Sequence, residues 1–114
     1  MPHRTAPLAV LLAACLTATA SRAGTEITVV AEQFSFKPAT VEAEAGAPIT
    51  ITFENKGALS HNLTFPGLDA KTKTIQSGDT VTVTLAPKEP GTYPFVCTVS
   101  GHKQAGMKGK LVVE

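Results

Sequence analysis

From residue 24 onward, apolar and polar residues alternate with a period of two, and no helical period is sustained anywhere. Ile27 and Val29 alternate with Thr28 and Val30, and Phe34 and Phe36 flank Ser35. Ile49, Ile51 and Phe53 alternate with Thr50, Thr52 and Glu54. Val81, Val83 and Leu85 alternate with Thr80, Thr82 and Thr84. Threonine is the commonest outward partner, as expected of a β-branched residue on the wet face of a strand. Turn-forming residues separate these runs at Lys37-Pro38, Gly46-Ala47-Pro48, Lys56-Gly57, Pro66-Gly67, Ser77-Gly78-Asp79 and from Pro87 to Gly91. Short strands spaced by turns predict an all-β chain, a β-sandwich of seven to eight strands. The stretch Leu68 to Gln76 has weak periodicity and stays open between a loop, a short helix and an irregular strand.

Residues 1–23 read differently. Arg4 supplies a positive start, Leu8 to Leu16 form an apolar core, and Ala18-Thr19-Ala20 and Ser21-Arg22-Ala23 offer small-x-small cleavage sites. That is the layout of a secretory signal peptide, and the apolar run is too short for a transmembrane helix. The domain expected to follow spans residues 24–114. Leu12-Ala13-Ala14-Cys15 also fits a lipobox, which would make Cys15 a lipid anchor at the outer face of a membrane. The apolar segment continues past the cysteine and favours ordinary cleavage. Both readings place the domain outside the cytoplasm, periplasmic or otherwise exported, with no transmembrane span in the mature chain.

Residues 24–114 carry eight lysines, no arginine and nine acidic side chains, so no dense basic stripe is available for nucleic acid. Cys97 is the only thiol in this segment, so an internal disulfide is excluded. Small exported domains usually rely on disulfides or a metal, and here the metal is the remaining option.

The metal-ligand signal lies in residues 95–113. Cys97, His102 and Met107 follow one another with four residues in each gap, between two strand-like runs. Alone, each has an ordinary reading: Cys97 as a small buried hydrophobe, His102 as a solvated loop residue, Met107 as core filler and His61 as a strand-edge residue. Together they are the entire Cys, His and Met content of residues 24–114. A thiolate, imidazoles and a thioether suit copper far better than magnesium or calcium. Zinc also suits Cys and His.

With Ser60-His61-Asn62, Cys97-Thr98, Gly101-His102, Gly106-Met107 and the closing run Lys110 to Val113, the chain resembles the cupredoxins, the small type 1 blue-copper proteins, across residues 25–114. The resemblance implies a Greek-key β-sandwich and one copper ion. Its equatorial ligands would be His61, Cys97 and His102, with Met107 along the axis. It also implies hydrogen bonds from Asn62 to the ligand loop near Thr98, and an exposed edge of His102 as the electron port. The spacing of the ligand loop resembles rusticyanin and auracyanin more than plastocyanin, whose Cys-to-His gap is shorter. The implied activity is electron transport: a monomer that shuttles single electrons between redox partner proteins.

The ligand inventory bounds the alternatives. A binuclear copper centre needs a second cysteine, and oxidase or nitrite-reductase coppers need further histidines. No hydrolytic triad can be built without dismantling the proposed site, and no glycine-rich phosphate motif is present. The expectation is therefore no enzymatic activity. A periplasmic copper carrier, or an accessory domain in metal uptake or complex assembly, remains the alternative class.

Overall fold

A computed structural model describes residues 24–114, and the leader and lipobox readings fall outside those residues. Nine strands form: β1 (Thr25–Ala31), β2 (Phe36–Lys37), β3 (Thr40–Ala43), β4 (Ile49–Asn55), β5 (Thr64–Phe65), β6 (Ala70–Lys71), β7 (Thr80–Leu85), β8 (Gly91–Val96) and β9 (Lys108–Val113). They make a β-sandwich of two sheets, ordered β2-β1-β4-β7 and β3-β9-β8-β5-β6. Seven to eight strands were expected. The count reaches nine because of three two-residue pairings: β2 and β5 border the turns at Lys37-Pro38 and Pro66-Gly67, and β6 lies in the stretch left open. The open segment resolves into a 3-10 turn at Pro66–Leu68, then β6, then a lone bridge between His61 and Ile75.

Both sheets are mixed. β1 runs parallel to β4, and β3 runs parallel to β9, while β4–β7 and β8–β9 are antiparallel. The chain crosses between sheets at most connections, as a Greek-key sandwich requires. No helix among the described residues is long and apolar enough to cross a membrane.

The alternating positions do what their period dictates. Ile49, Ile51 and Phe53 of β4 are buried and face Val41, Phe65, Phe95, Leu111 and Val113 from the other sheet. Phe95 is the centre of an aromatic cluster, 5.4 Å from Phe36 and 5.5 Å from Phe65 between ring centroids. Gly109 of β9 lies directly under the Phe95 ring. A Cβ there would collide with that ring and come within 2.6 Å of the Ala39 carbonyl. The missing side chain at Gly109 is thus what lets Phe95 lie flat against β9.

One pairing in the alternation does not hold. Phe36 is core, but Phe34 stands on the β1–β2 turn and is 41% exposed. The turn closes between Glu32 N–H and the Ser35 carbonyl at 2.9 Å, which breaks the strand register before Phe34 could face inward.

Candidate metal centre

The β8–β9 hairpin holds three of the four expected donors. Cys97 follows β8 directly, and Met107 immediately precedes β9. Cys97 N–H donates to the Met107 carbonyl at 3.3 Å, so the two ends of the loop are closed on each other. Between them the loop folds on its own backbone. His102 N–H donates to Val99 O at 3.0 Å, and Met107 N–H donates to His102 O at 3.1 Å. Gly101 and Gly106 take φ of 82° and 95°, values that side chains disfavour, so the glycines permit these turns.

His61 arrives from the connection between β4 and β5. Its backbone exchanges two hydrogen bonds with Ile75, at 3.1 and 2.9 Å. Asn55, fully buried at the end of β4, braces the approach to it. Its amide donates to the Leu59 carbonyl at 2.8 Å and the Ile75 carbonyl at 3.2 Å, and its side-chain oxygen accepts from Gly57 N–H at 3.0 Å. Asn55 is a site-building residue that sequence reasoning passed over. Asn-Lys-Gly announces a turn, but nothing local says that the side chain will be buried.

The structure brings His61, Cys97 and His102 into one buried cluster. The two histidine Nδ1 atoms are 3.1 Å apart, and Cys97 Sγ lies 3.9 Å from His61 Nδ1 and 3.6 Å from His102 Nδ1. A triangle with these sides has a circumradius of about 2.1 Å. That is the length of nitrogen–metal bonds and close to that of sulfur–metal bonds, ~2.0–2.3 Å. Met107 is fully buried in the adjoining core. The donor set and its spacing fit one type 1 copper.

Burial holds the His61 imidazole below its ordinary pKa, and the neighbouring His102 adds to that shift. Both effects favour the neutral ring, the form that binds a metal. His61 Nε2 is buried and lacks a well-aligned hydrogen bond, although the Glu32 carbonyl is near enough to favour the protonated ring slightly.

Asn62 and Thr98 lock the two ligand segments together, as the resemblance implied. Asn62 Nδ2 donates to Thr98 Oγ1 at 2.8 Å, and Thr98 N–H donates to Asn62 Oδ1 at 3.0 Å. Thr64 Oγ1 donates to the same oxygen at 3.0 Å. Removing this clamp by Asn62→Ala is expected to lower copper affinity by about 10–100-fold with the fold retained. Competition against a chelator, with circular dichroism alongside, checks this.

Of the four expected donors, only His102 keeps any exposed surface, and that surface is small. His102 is only 7% exposed, and the Phe34 ring stands edge-on against it at 5.5 Å and 88°. Sequence separation hid this contact, because Phe34 comes from a turn 68 residues upstream.

A two-sheet β-sandwich with a buried His–Cys–His cluster at one end of a hairpin defines a class of copper-site proteins. The chain belongs to the cupredoxin-like family, whose model, described as "Cupredoxin-like domain", matches residues 5–113. Auracyanin-B of Chloroflexus aurantiacus is 44% identical over 48 residues, covering 42% of this chain and 20% of that protein. Amicyanin-alpha of Methylorubrum extorquens is 36% identical over 87 residues, covering 72% of this chain and 66% of that protein. The chain thus spans a fifth of the first relative's length and about two thirds of the second's. Among solved structures, it is similar to auracyanin A, described as a "blue" copper protein from the green thermophilic photosynthetic bacterium Chloroflexus aurantiacus. The TM-score is 0.71 at 25% identity, covering 80% of this chain and 99% of that one.

Proposed function

We propose that this chain is an exported electron carrier in which His61 Nδ1, Cys97 Sγ and His102 Nδ1 would hold one copper ion, with Met107 as the fourth, weaker donor. The observation that carries the reading is the triangle of three buried donor atoms, sized for a single metal ion. Copper supplies a one-electron Cu(I)/Cu(II) couple when bound. The protein's part is to keep the donors where they are in both oxidation states. The Asn62–Thr98 clamp and the His61–Ile75 bridge hold one imidazole and the thiolate segment in register. The self-bonded loop from Val99 to Met107 holds the other imidazole. Little rearrangement on electron transfer means fast exchange.

Deep burial of all four residues supports a carrier of electrons over a carrier of copper, which would need an open site to release its cargo. Relatives named as auracyanin and amicyanin, and an inventory that leaves no histidine for a substrate-binding copper, support a non-enzymatic role. The leader-like residues 1–23 and the single thiol beyond them support export, with redox proteins as partners.

The test is titration of the purified protein with Cu(II), followed by visible absorption and electron paramagnetic resonance. An intense thiolate-to-copper band saturating at one equivalent is expected. A pale spectrum, or binding without defined stoichiometry, would overturn the reading.

A further inference from the structure

We infer that Phe34 is a positioning and access-controlling residue for the site: its ring caps His102, steadies that imidazole, and keeps water-soluble electron acceptors a ring's width from the metal pocket. The inference rests on the electron-carrier reading above and adds to it a residue from a segment that supplies no ligand.

Three observations converge on the β1–β2 turn. Phe34 and Leu59 are the only large apolar side chains exposed among the described residues. Such a residue at a turn tip gains little from burial, yet Phe34 is set edge-on against the one ligand nearest the surface. His102 sits in a loop whose Gly101, Lys103, Gln104, Ala105 and Gly106 are all exposed, and still it is almost wholly covered. His61 and Cys97 cover the inner side of that imidazole, and Phe34 packs on it from the β1–β2 turn.

The turn itself is held in place. Glu32 N–H bonds to Ser35 O at 2.9 Å, Lys56 N–H bonds to Ala31 O at 2.9 Å, and Lys37 pairs with Glu32 at 3.5 Å. The same turn also reaches the other histidine. A Cβ on Gly57 would lie 2.7 Å from the Glu32 carbonyl oxygen and 3.0 Å from His61 Nε2, so the bare glycine allows the turn to close on that ring. The β1–β2 turn therefore lies beside both imidazoles, near one through the Glu32 carbonyl and packed on the other through the Phe34 ring. Ligand loops alone do not complete this site.

The consequence is selectivity. A small hydrophilic acceptor meets the phenyl ring before it meets His102, whereas a protein surface with apolar side chains can pack on that ring. Phe34→Ala removes the cap, Phe34→Tyr keeps an aromatic ring, and Phe34→Leu keeps apolar bulk without one. In the first measurement, tris(phenanthroline)cobalt(III) takes one electron from the reduced copper-loaded protein and becomes cobalt(II), with no bond or proton exchanged. The rate is expected to rise several-fold in Phe34→Ala, to rise less in Phe34→Leu, and to match the parent in Phe34→Tyr. In the second, carbon-13 relaxation of the His102 ring is recorded in metal-free protein. A rigid ring is expected in the parent and Phe34→Tyr, and a mobile one in Phe34→Ala and Phe34→Leu. Unchanged cobalt rates with an equally rigid ring in Phe34→Ala and Phe34→Leu would overturn the inference. Failure of the parent protein to give a copper–thiolate band would instead sink the electron-carrier reading, and the relaxation measurement would still decide whether Phe34 steadies His102.

Discussion

Cys97→Ser is expected to erase the intense visible band of the copper-loaded protein and return a pale copper spectrum. The band requires a thiolate, because the transition moves charge from sulfur to copper. Serine offers a hydroxyl that stays protonated at neutral pH and is a poor ligand for a soft site. No second thiol is available for that corner of the triangle, since Cys97 is the only cysteine in residues 24–114. The fold should survive. Cys97 holds the loop through its backbone N–H to the Met107 carbonyl, and serine keeps that bond. Burying the hydroxyl costs about 1–3 kcal/mol, which urea unfolding of the metal-free variant would register. A band that persisted in Cys97→Ser would show that another group supplies the charge transfer, and the donor set would have to be redrawn.

The largest effect on stability is expected from Phe95→Ala, a loss of roughly 3–5 kcal/mol in urea unfolding of the metal-free protein. Phe95 is fully buried, meets Phe36 and Phe65 at 5.4 and 5.5 Å, and rests on Gly109, where no side chain exists to collapse into the space. A cavity opened there cannot be refilled from β9. Domains of this size are held by about 5–15 kcal/mol, so this single truncation removes a large share. Cys97 lies two residues beyond Phe95, so the copper-binding loop should loosen with the core beneath it. A loss under about 1 kcal/mol would mean that the aromatic cluster is not a keystone of the sandwich.

Much of this was legible in the chain itself because sheet structure has a local signature. Runs such as Ile49 to Phe53 and Val81 to Leu85 became strands with the apolar positions facing inward or partly covered, as their period requires. The clustering of His61, Cys97 and His102 was legible because the scarcity of donors makes coincidence hard to sustain. What stayed hidden depended on contacts made across long separations. Asn55 looked like one more turn former until its amide was seen to brace Leu59 and Ile75. Phe34 sits in a run that alternates like a strand, and only the closing of Glu32 on Ser35 turns it outward to His102. Parallel pairing of β1 with β4 and of β3 with β9 leaves no mark in either partner, since strand direction is decided by the crossovers and not by the strand.

The position of β9 gives the molecule an order of assembly. The ninth strand in sequence lies between the third and the eighth in its sheet, so the larger sheet is split until residues 108–113 are in hand. Pairings this distant close slowly, in about milliseconds to seconds for comparable all-β domains. The donor loop, by contrast, joins β8 to β9 within one local hairpin, so its shape does not depend on that distant pairing.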